Sequence, residues 1–362
     1  MTALLTGLAS LLVFGGVILV HELGHFMAAR HCGIIVEEFS IGFGPCLWST
    51  TKNVTTYSIR LLPLGGYNLF SRPPEEDEEG EDATPFTPPP RKTVLFPLAV
   101  GGRKFEEATA WQRFFVTLCG ALMNFVLGIA VLLVLVLSQG RTGSTTVADF
   151  GENSQSAAVL QRGDTILQID GKPCWTVYTL SGAFDGTEKT HTMKVLRGGE
   201  VVSLPAVTVA PTLDENGNVL YGTDFRVASQ RMSAKNAAVL TGEMFRYYSG
   251  AILGGFWELF TGKAGVEELS GPIGTVSAVS QAVRYGWRDA LSLMALLTIN
   301  VGIFNLLPIP ALDGCKLLFL LWEALTGHPV PERAQGFVNT AGMVALLWLM
   351  LLVTMQDISR FL

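Results

Sequence analysis

The chain has 362 residues, of which 49% are hydrophobic and 15% are charged, whereas roughly 25% of the residues in an ordinary soluble domain are charged. Its mean hydropathy is +0.39. A soluble globule of this size cannot bury that much apolar surface, so a lipid bilayer is the expected solvent. The net charge of -6 argues against a nucleic-acid partner. Five scattered cysteines without a CxxC pair argue against a disulfide framework and a cysteine-based zinc site.

Four apolar stretches predict transmembrane helices over residues 1–30, 113–138, 288–314 and 336–356. Each approaches or exceeds the roughly 18 apolar residues that cross a hydrocarbon core of about 30 Å. The segment 234–285 is predicted to be helical and peripheral to the membrane. Its stretch 239–259 is mostly apolar but contains Glu243 and Arg246, which is typical of a helix at the interface.

Basic residues predict the orientation of the spans. The first basic residue is Arg30, so the first span is interpreted as retained rather than as a signal peptide. The segment 31–112 is rich in Lys and Arg, which the positive-inside rule places in the cytoplasm. The N-terminus, the block between the second and third spans and the C-terminus are then expected outside the cell's inner (plasma) membrane.

The cytoplasmic segment contains two different parts. Residues 55–69 are predicted to form two short strands around Pro63 and Gly65-Gly66, and thus a β-hairpin associated with the membrane. Residues 73–92 hold an acidic run at 75–82 followed by prolines, which predicts a solvated, disordered linker.

Residues 141–228 differ in composition and predict a small extracytoplasmic α+β domain. A short helix is expected at 157–161, a strand at 165–169, a hairpin turn at Asp170-Gly171 and strands at 191–196 and 201–209. The stretch AAVLQRGDTILQIDGKP at 157–173 resembles PDZ domains of bacterial proteases. This resemblance implies binding of a peptide by strand addition. A spacer or size filter without a bound peptide is an equal alternative.

The sequence His21-Glu22-Leu23-Gly24-His25 interrupts the first span with three ionisable residues, which are costly there unless they have partners or a function. Histidines at i and i+4 project from one face of a helix, so both imidazoles can bind one zinc ion. Glu22 lies one residue further on and can act as general base toward a zinc-bound water.

A third protein ligand is expected, because catalytic zinc sites normally have three. Among the other histidines, His31 lies on a different helix face, and neither His191 nor His328 is well placed. Asp313 follows a segment in which Pro308 and Pro310 break the helix. From the residues alone, Asp313 is either this ligand or an Asp at a helix end that binds nothing.

HELGH in the first span and NLLPIPALDG at 305–314 in the third resemble the site-2 protease family of intramembrane zinc metalloproteases, in its bacterial branch. The GPIG motif at 271–274, the hairpin at 57–67 and Asn124 in the second span also match that branch. The resemblance covers nearly the whole chain. It implies a mainly α-helical polytopic membrane protein with about four transmembrane helices, a PDZ-like domain and a membrane-associated β-hairpin.

The resemblance implies a role for each matching position. His21, His25 and Asp313 would hold Zn²⁺, and Glu22 would be the general base. The unwound segment of a substrate would be bound by residues of the third span and the break after it: Asn300, Asn305, Pro308 and Pro310. The alternative for the two asparagines is hydrogen bonding between helices.

The implied reaction is hydrolysis of peptide bonds within or at the edge of the bilayer. Substrates would be single-span membrane proteins, such as pre-cleaved anti-sigma factors or remnant signal peptides. Two features depart from the family pattern: Cys315 stands where a second glycine is common, and the chain has room for only one PDZ domain.

Two other functions fit parts of the pattern. A membrane-anchored gluzincin-type peptidase would use a Glu ligand, for which Glu243 and Glu323 are candidates by residue type. A transporter or PDZ scaffold would bind metal without hydrolysis. Two histidines and a carboxylate also suit Fe(II) or Co(II).

Overall fold

The computed structural model describes residues 2–70, 102–213, 219–263, 265 and 269–361. The linker predicted at 73–92 lies outside these residues. The described chain forms two compact units, Met1–Val131 with Tyr248–Leu362, and Leu132–Tyr247. The helices are α1 Thr2–His31, α2 Ala110–Ser138, α3 Val177–Ser181, α4 Ala234–Phe260, α5 Pro272–Tyr285, α6 Trp287–Phe304, α7 Asp313–Thr326 and α8 Glu332–Phe361. The strands are β1 Val36–Lys52, β2 Thr55–Phe70, β3 Arg141–Phe150, β4 Thr165–Ile169, β5 Lys172–Pro173, β6 Lys189–Arg197, β7 Glu200–Val209, β8 Thr212–Leu213, β9 Val219–Tyr221 and β10 Phe225–Arg231.

Four of the described helices are long and apolar enough to cross a membrane: Ala9–His31, Ala110–Ser138, Trp287–Phe304 and Glu332–Arg360. Together with the sheets, they define a mainly helical polytopic architecture. The first two helices approach closely where Gly24 faces α2, since a Cβ on Gly24 would lie 2.3 Å from the carbonyl oxygen of Cys119. A glycine is therefore needed at the fourth position of HELGH for the packing of α1 on α2.

The third span is shorter than predicted. Helix α6 ends at Phe304, and the segment 305–312 is not helical before α7 begins at Asp313. Predicting one helix over 288–314 was therefore wrong, because proline cannot donate the backbone hydrogen bond that would continue the helix through 308–310. Helix α7 had no counterpart among the sequence predictions.

The β-hairpin is larger than predicted, and its turn lies elsewhere. Strand β1 pairs with β2 from Val36↔Phe70 to Lys52↔Thr55, so the turn is at 53–54, where Asn53 has a φ of 58°. Asn tolerates this left-handed conformation. The prediction of a turn at Pro63 and Gly65-Gly66 was therefore wrong. These glycines serve close packing, because a Cβ on Gly65 would lie 2.1 Å from the ring of Phe43.

The hairpin doubles back on itself. Residues 38–41 of β1 have partners both at 66–69 and at 56–59 of β2, so this part of β1 lies between two segments of β2. Glycines with positive φ, Gly42 and Gly44, follow this part of the strand. The last segment of β2 is held firmly by this pairing.

A cluster of polar groups lies within the hairpin. Glu38 accepts hydrogen bonds from Ser58 Oγ at 2.5 Å and from Arg60 at 2.9 Å. Burial opposes ionisation of Glu38, but these hydrogen bonds outweigh it and lower its pKa. Burial and the neighbouring Glu38 carboxylate raise the pKa of Tyr67 to about 12. The hairpin interior is thus fixed by charge-assisted hydrogen bonds as well as by its strands.

Helix α5 begins at the GPIG motif, and a residue of α8 caps it. The backbone N–H of Gly274 donates to Asp357 Oδ2 at 2.8 Å, and Asp357 is 1% exposed. A Cβ on Gly271 would lie 2.7 Å from the same oxygen. The first turn of the helix therefore offers backbone N–H groups that have no partner within the helix, and the glycines leave space for the carboxylate that accepts from them.

The second unit is built on a sheet with strand order β10-β3-β4-β6-β7. Strands occupy the positions predicted for 165–169, 191–196 and 201–209, and β4 turns into β5 at Asp170-Gly171. The predicted helix at 157–161 is instead one 3₁₀ turn at Ser156–Ala158. The core contains Leu160, Ile166, Met193, Val195 and Val207, all at most 2% exposed.

Candidate metal centre

Helix α1 presents two imidazoles on one face. His21 and His25 are one turn apart, and their Nε2 atoms are 3.2 Å from each other. An i, i+4 spacing on a regular helix brings side chains together in this way. The predicted pair of histidine ligands is therefore in a geometry in which both nitrogens can reach one ion.

Asp313 reaches the same point from the beginning of α7. Its Oδ2 lies 3.2 Å from His21 Nε2 and 3.1 Å from His25 Nε2. Its Oδ1 lies 3.6 Å from Lys316 Nζ. The non-helical segment before α7 makes this approach possible. It folds so tightly that a Cβ on Gly314 would lie 1.9 Å from the Leu307 carbonyl oxygen.

The three facing atoms form a nearly equilateral triangle with sides of 3.1–3.2 Å. Ligands about 2.0–2.1 Å from one tetrahedral zinc ion lie about 3.3–3.4 Å apart. The arrangement thus fits three ligands of a four-coordinate zinc, with the fourth position open. The three side chains are 12–13% exposed, so the centre is largely buried but still reached by solvent.

Helix α2 supplies the groups that orient the imidazoles. His25 Nδ1 lies 2.9 Å from the Val116 carbonyl oxygen, and His21 Nδ1 lies 3.2 Å from the Asn124 amide nitrogen. Asn124 is fully buried, and its Oδ1 has no partner among the described residues. A 180° turn of the amide would let Oδ1 accept the Nδ1–H of a metal-binding His21.

Gly120 of α2 lies directly beside the histidines. A Cβ at this position would lie 2.3 Å from His25 Nε2 and 2.9 Å from His21 Cε1. Real Cβ atoms do not approach other atoms this closely, so the imidazoles fit only against a glycine.

Gly120→Ala is expected to lower the affinity for zinc about tenfold or more, because it displaces the imidazole of His25. The change is measured by zinc content after dialysis against a graded series of chelator concentrations. Gly7→Ala in α1 is the matched control, because a Cβ there meets nothing within 4 Å. Equal zinc retention in the two variants would contradict this prediction.

Glu22 lies on the same helix and is held by a residue that sequence reasoning missed. Asn68 Nδ2 donates to Glu22 Oε2 at 2.8 Å and to the Glu22 carbonyl oxygen at 3.0 Å. Asn68 belongs to β2, 46 residues away in the chain. Its one sequence signal is a polar side chain within the otherwise apolar last part of β2, residues 61–70.

The predicted substrate-binding residues lie in and after α6. Asn300 is half-buried within the helix. Asn305 ends the helix and donates to the Val301 carbonyl oxygen at 3.0 Å. Pro308 and Pro310 lie in the non-helical segment. Pro310 packs closely on α8, because a Cβ on Gly342 would lie 2.1 Å from the Cβ of Pro310. The structure does not bring these four residues into the triangle of His21, His25 and Asp313.

Within the described residues, His21, His25 and Asp313 are the one group of three that could hold a metal. Glu323 is paired with Arg113, and Glu243 accepts a hydrogen bond from Thr176. The glutamates that a gluzincin-type site would need are thus engaged elsewhere. His191 is bonded to Asp170 and His328 to the Thr326 carbonyl oxygen.

Comparison with known proteins shows the family of this chain. Residues 9–349 match the profile of peptidase family M50. The chain is 31% identical over 418 residues to the regulator of sigma-W protease RasP of Bacillus subtilis, with 98% of each chain covered. It is 32% identical over 414 residues to the zinc metalloprotease RasP of Geobacillus kaustophilus, with 97% of each chain covered.

The chain belongs to peptidase family M50, the site-2 protease family. It is a zinc metalloprotease of the membrane. The resemblance found in HELGH and NLLPIPALDG is therefore confirmed, and zinc is confirmed as the cofactor. The hypotheses of a transporter and of a scaffold without hydrolysis are not supported.

Proposed function

We propose that this protein hydrolyses peptide bonds within or at the edge of the transmembrane segments of single-span membrane proteins. The observation that carries the proposal is the triangle of His21, His25 and Asp313, because two of its members lie on a helix apolar enough to cross a bilayer. Ionisable groups in such a helix are expensive unless they serve a site. A protease built there acts on substrates that reach it through the membrane.

In this proposal His21, His25 and Asp313 bind the zinc. When bound, zinc polarises the scissile carbonyl and lowers the pKa of a water, which supplies a nucleophile at neutral pH. Glu22 accepts a proton from the attacking water and passes it to the departing amine. The imidazoles keep their orientation through Val116 and Asn124 on α2.

The substrate helix has to unwind locally, because each of its carbonyls is hydrogen-bonded within the helix. We assign the binding of the unwound segment to Asn300 and Asn305, with Pro308 and Pro310 beside them. An amide side chain can bond both the N–H and the C=O of an extended chain. Strand β2 supplies a further surface to which the segment can add as a strand.

The proposed topology places the metal centre toward the cytoplasm and the second unit outside. Substrates shortened beforehand on the outer side, such as anti-sigma factors, or remnant signal peptides fit this arrangement. The name of the Bacillus subtilis relative, regulator of sigma-W protease RasP, supports the first class.

The second unit is proposed to select substrates, either by binding a peptide or by excluding large ectodomains. Strand β10 is at one edge of its sheet among the described strands, where a peptide strand can add. A cavity of about 430 Å³ also lies within this unit, between Trp175, Gln230 and the first turns of α4.

The test is cleavage by the purified protein in liposomes with a tagged single-span substrate. Mass spectrometry of the products gives the position of the cut bond. The proposal expects a cut inside or within a few residues of the apolar segment. Cuts confined to the soluble flanks of the substrate would overturn it.

A further inference from the structure

We propose that Asn68 is a positioning residue that fixes the carboxylate of Glu22 for catalysis. This inference rests on the proposed role of Glu22 as general base. Asn68 Nδ2 donates to Glu22 Oε2 at 2.8 Å, a distance typical of a hydrogen bond to a charged acceptor. The same nitrogen is 3.0 Å from the Glu22 carbonyl oxygen, so the side chain spans both the backbone and the carboxylate of the base.

The orientation of the Asn68 amide follows from these contacts. Both nearby atoms of Glu22 accept hydrogen bonds, so the amide atom between them has to be the NH₂ group. The other amide atom, Oδ1, is buried and has no partner among the described residues. An amide is costly to bury without partners. Among the described residues, the Asn68 side chain donates hydrogen bonds to Glu22 alone.

The backbone around Asn68 holds it firmly. Asn68 pairs with Phe39 of β1, and Gly66, two residues earlier, pairs with Ile41. A Cβ on Gly66 would lie 2.8 Å from Glu22 Cγ and 2.8 Å from the Ser40 carbonyl oxygen. Strand β2 thus lies directly on the side chain of Glu22. The amide is mounted on a paired strand, which positions a group more accurately than a loop does.

This contact restricts a side chain that would otherwise be free to rotate. A glutamate has three side-chain torsions, and a base that samples several positions is in the reactive one for only part of the time. Fixing Oε2 leaves the second oxygen, Oε1, for the attacking water. Loss of the Asn68 bond is therefore expected to reduce kcat more than KM.

The experiment compares the full-length wild type with Asn68→Leu, Asn68→Ala and Asn68→Gln. Leu keeps a similar shape without the donor, Ala gives a smaller side chain, and Gln keeps the NH₂ group on a longer side chain. We measure kcat, KM, zinc content and thermal stability for each. Ser49→Ala, at an exposed position of β1, is the control for changes in the hairpin.

Asn68→Leu and Asn68→Ala are expected to lower kcat about 10–100-fold, the usual effect of losing a hydrogen bond to a charged group. KM should change less than about twofold, and zinc content should remain that of the wild type. Asn68→Gln should retain more of kcat than Asn68→Leu. A purely structural role would give equal loss in both, or would lower zinc content and stability together, and either result would overturn the inference.

Glu22→Gln in the same assay separates this inference from the proposed function. An active Glu22→Gln enzyme would refute the role of Glu22 itself. An inactive Glu22→Gln enzyme beside an Asn68→Leu enzyme with wild-type kcat would refute only the role of Asn68.

Discussion

Glu22→Gln is expected to lower kcat by about 10³-fold or more while the protein keeps its zinc. General acid–base catalysis contributes about 10²–10⁴-fold, and in the proposed mechanism Glu22 is both the acceptor and the donor of the proton. An amide cannot accept that proton at neutral pH, but it has nearly the shape of the carboxylate. Glu22 also supplies none of the three ligand atoms, which belong to His21, His25 and Asp313. The measurement is single-turnover cleavage of a single-span substrate, with zinc determined on the same sample.

Glu332→Gln is the matched control, since Glu332 is exposed at the beginning of α8. It should leave both cleavage and zinc content unchanged. Substantial cleavage by Glu22→Gln would remove Glu22 from the mechanism. Loss of zinc with loss of activity would instead give Glu22 a role in holding the metal.

Asp313→Asn is expected to weaken zinc binding by about 10²-fold or more and to abolish cleavage with it. Replacing a residue that orients a metal ligand typically lowers metal affinity about 10–100-fold. Replacing a ligand itself should lower the affinity at least as much. Asp313 supplies the one negative charge in the triangle, and its Oδ2 contacts both imidazoles. The neutral amide keeps the size of the side chain but lacks that charge. The dissociation constant for zinc is measured by competition with a chelator.

Asp289→Asn at the exposed beginning of α6 is the corresponding control and should bind zinc like the wild type. If Asp313→Asn also kept the wild-type affinity, the third ligand would have to be another residue. Such a result would reopen the assignment of the whole centre.

The local parts of the site could be predicted from the sequence. HELGH gives two histidines on one helix face through helical periodicity alone, and the structure brings their nitrogens to 3.2 Å. Asp313 was one of two open alternatives from the residues, and the resemblance to a family favoured it. The strands at 165–169 and 191–196 followed from alternation and from the turn at Asp170-Gly171.

The parts that depend on distant contacts could not be predicted. Asn68 contacts Glu22, which is 46 residues away in the chain. Gly120 of α2 packs against His25 of α1. Nothing near either residue in the sequence shows these contacts. The hairpin turn was misplaced for a related reason. Gly65 and Gly66 resemble turn residues, but they are glycines because Phe43 and Glu22 pack against them.

Helix α7 could not be predicted from hydropathy alone. The apolar run through 290–312 has the composition of one long span, although two prolines interrupt it. The break was expected near Pro308 and Pro310, but its consequence was not. The chain leaves the helix at Phe304 and begins a new one at Asp313, which places the carboxylate in the first turn of α7.

X-ray absorption at the zinc edge of the purified wild-type protein tests the proposed centre most directly. We expect nearest scatterers of nitrogen and oxygen alone at about 2.0–2.2 Å, with the outer-shell pattern of two imidazoles. Cys315 is buried two residues after Asp313 but lies outside the metal triangle. A sulfur scatterer at about 2.3 Å, or a pattern with fewer than two imidazoles, would contradict the ligand set His21, His25 and Asp313.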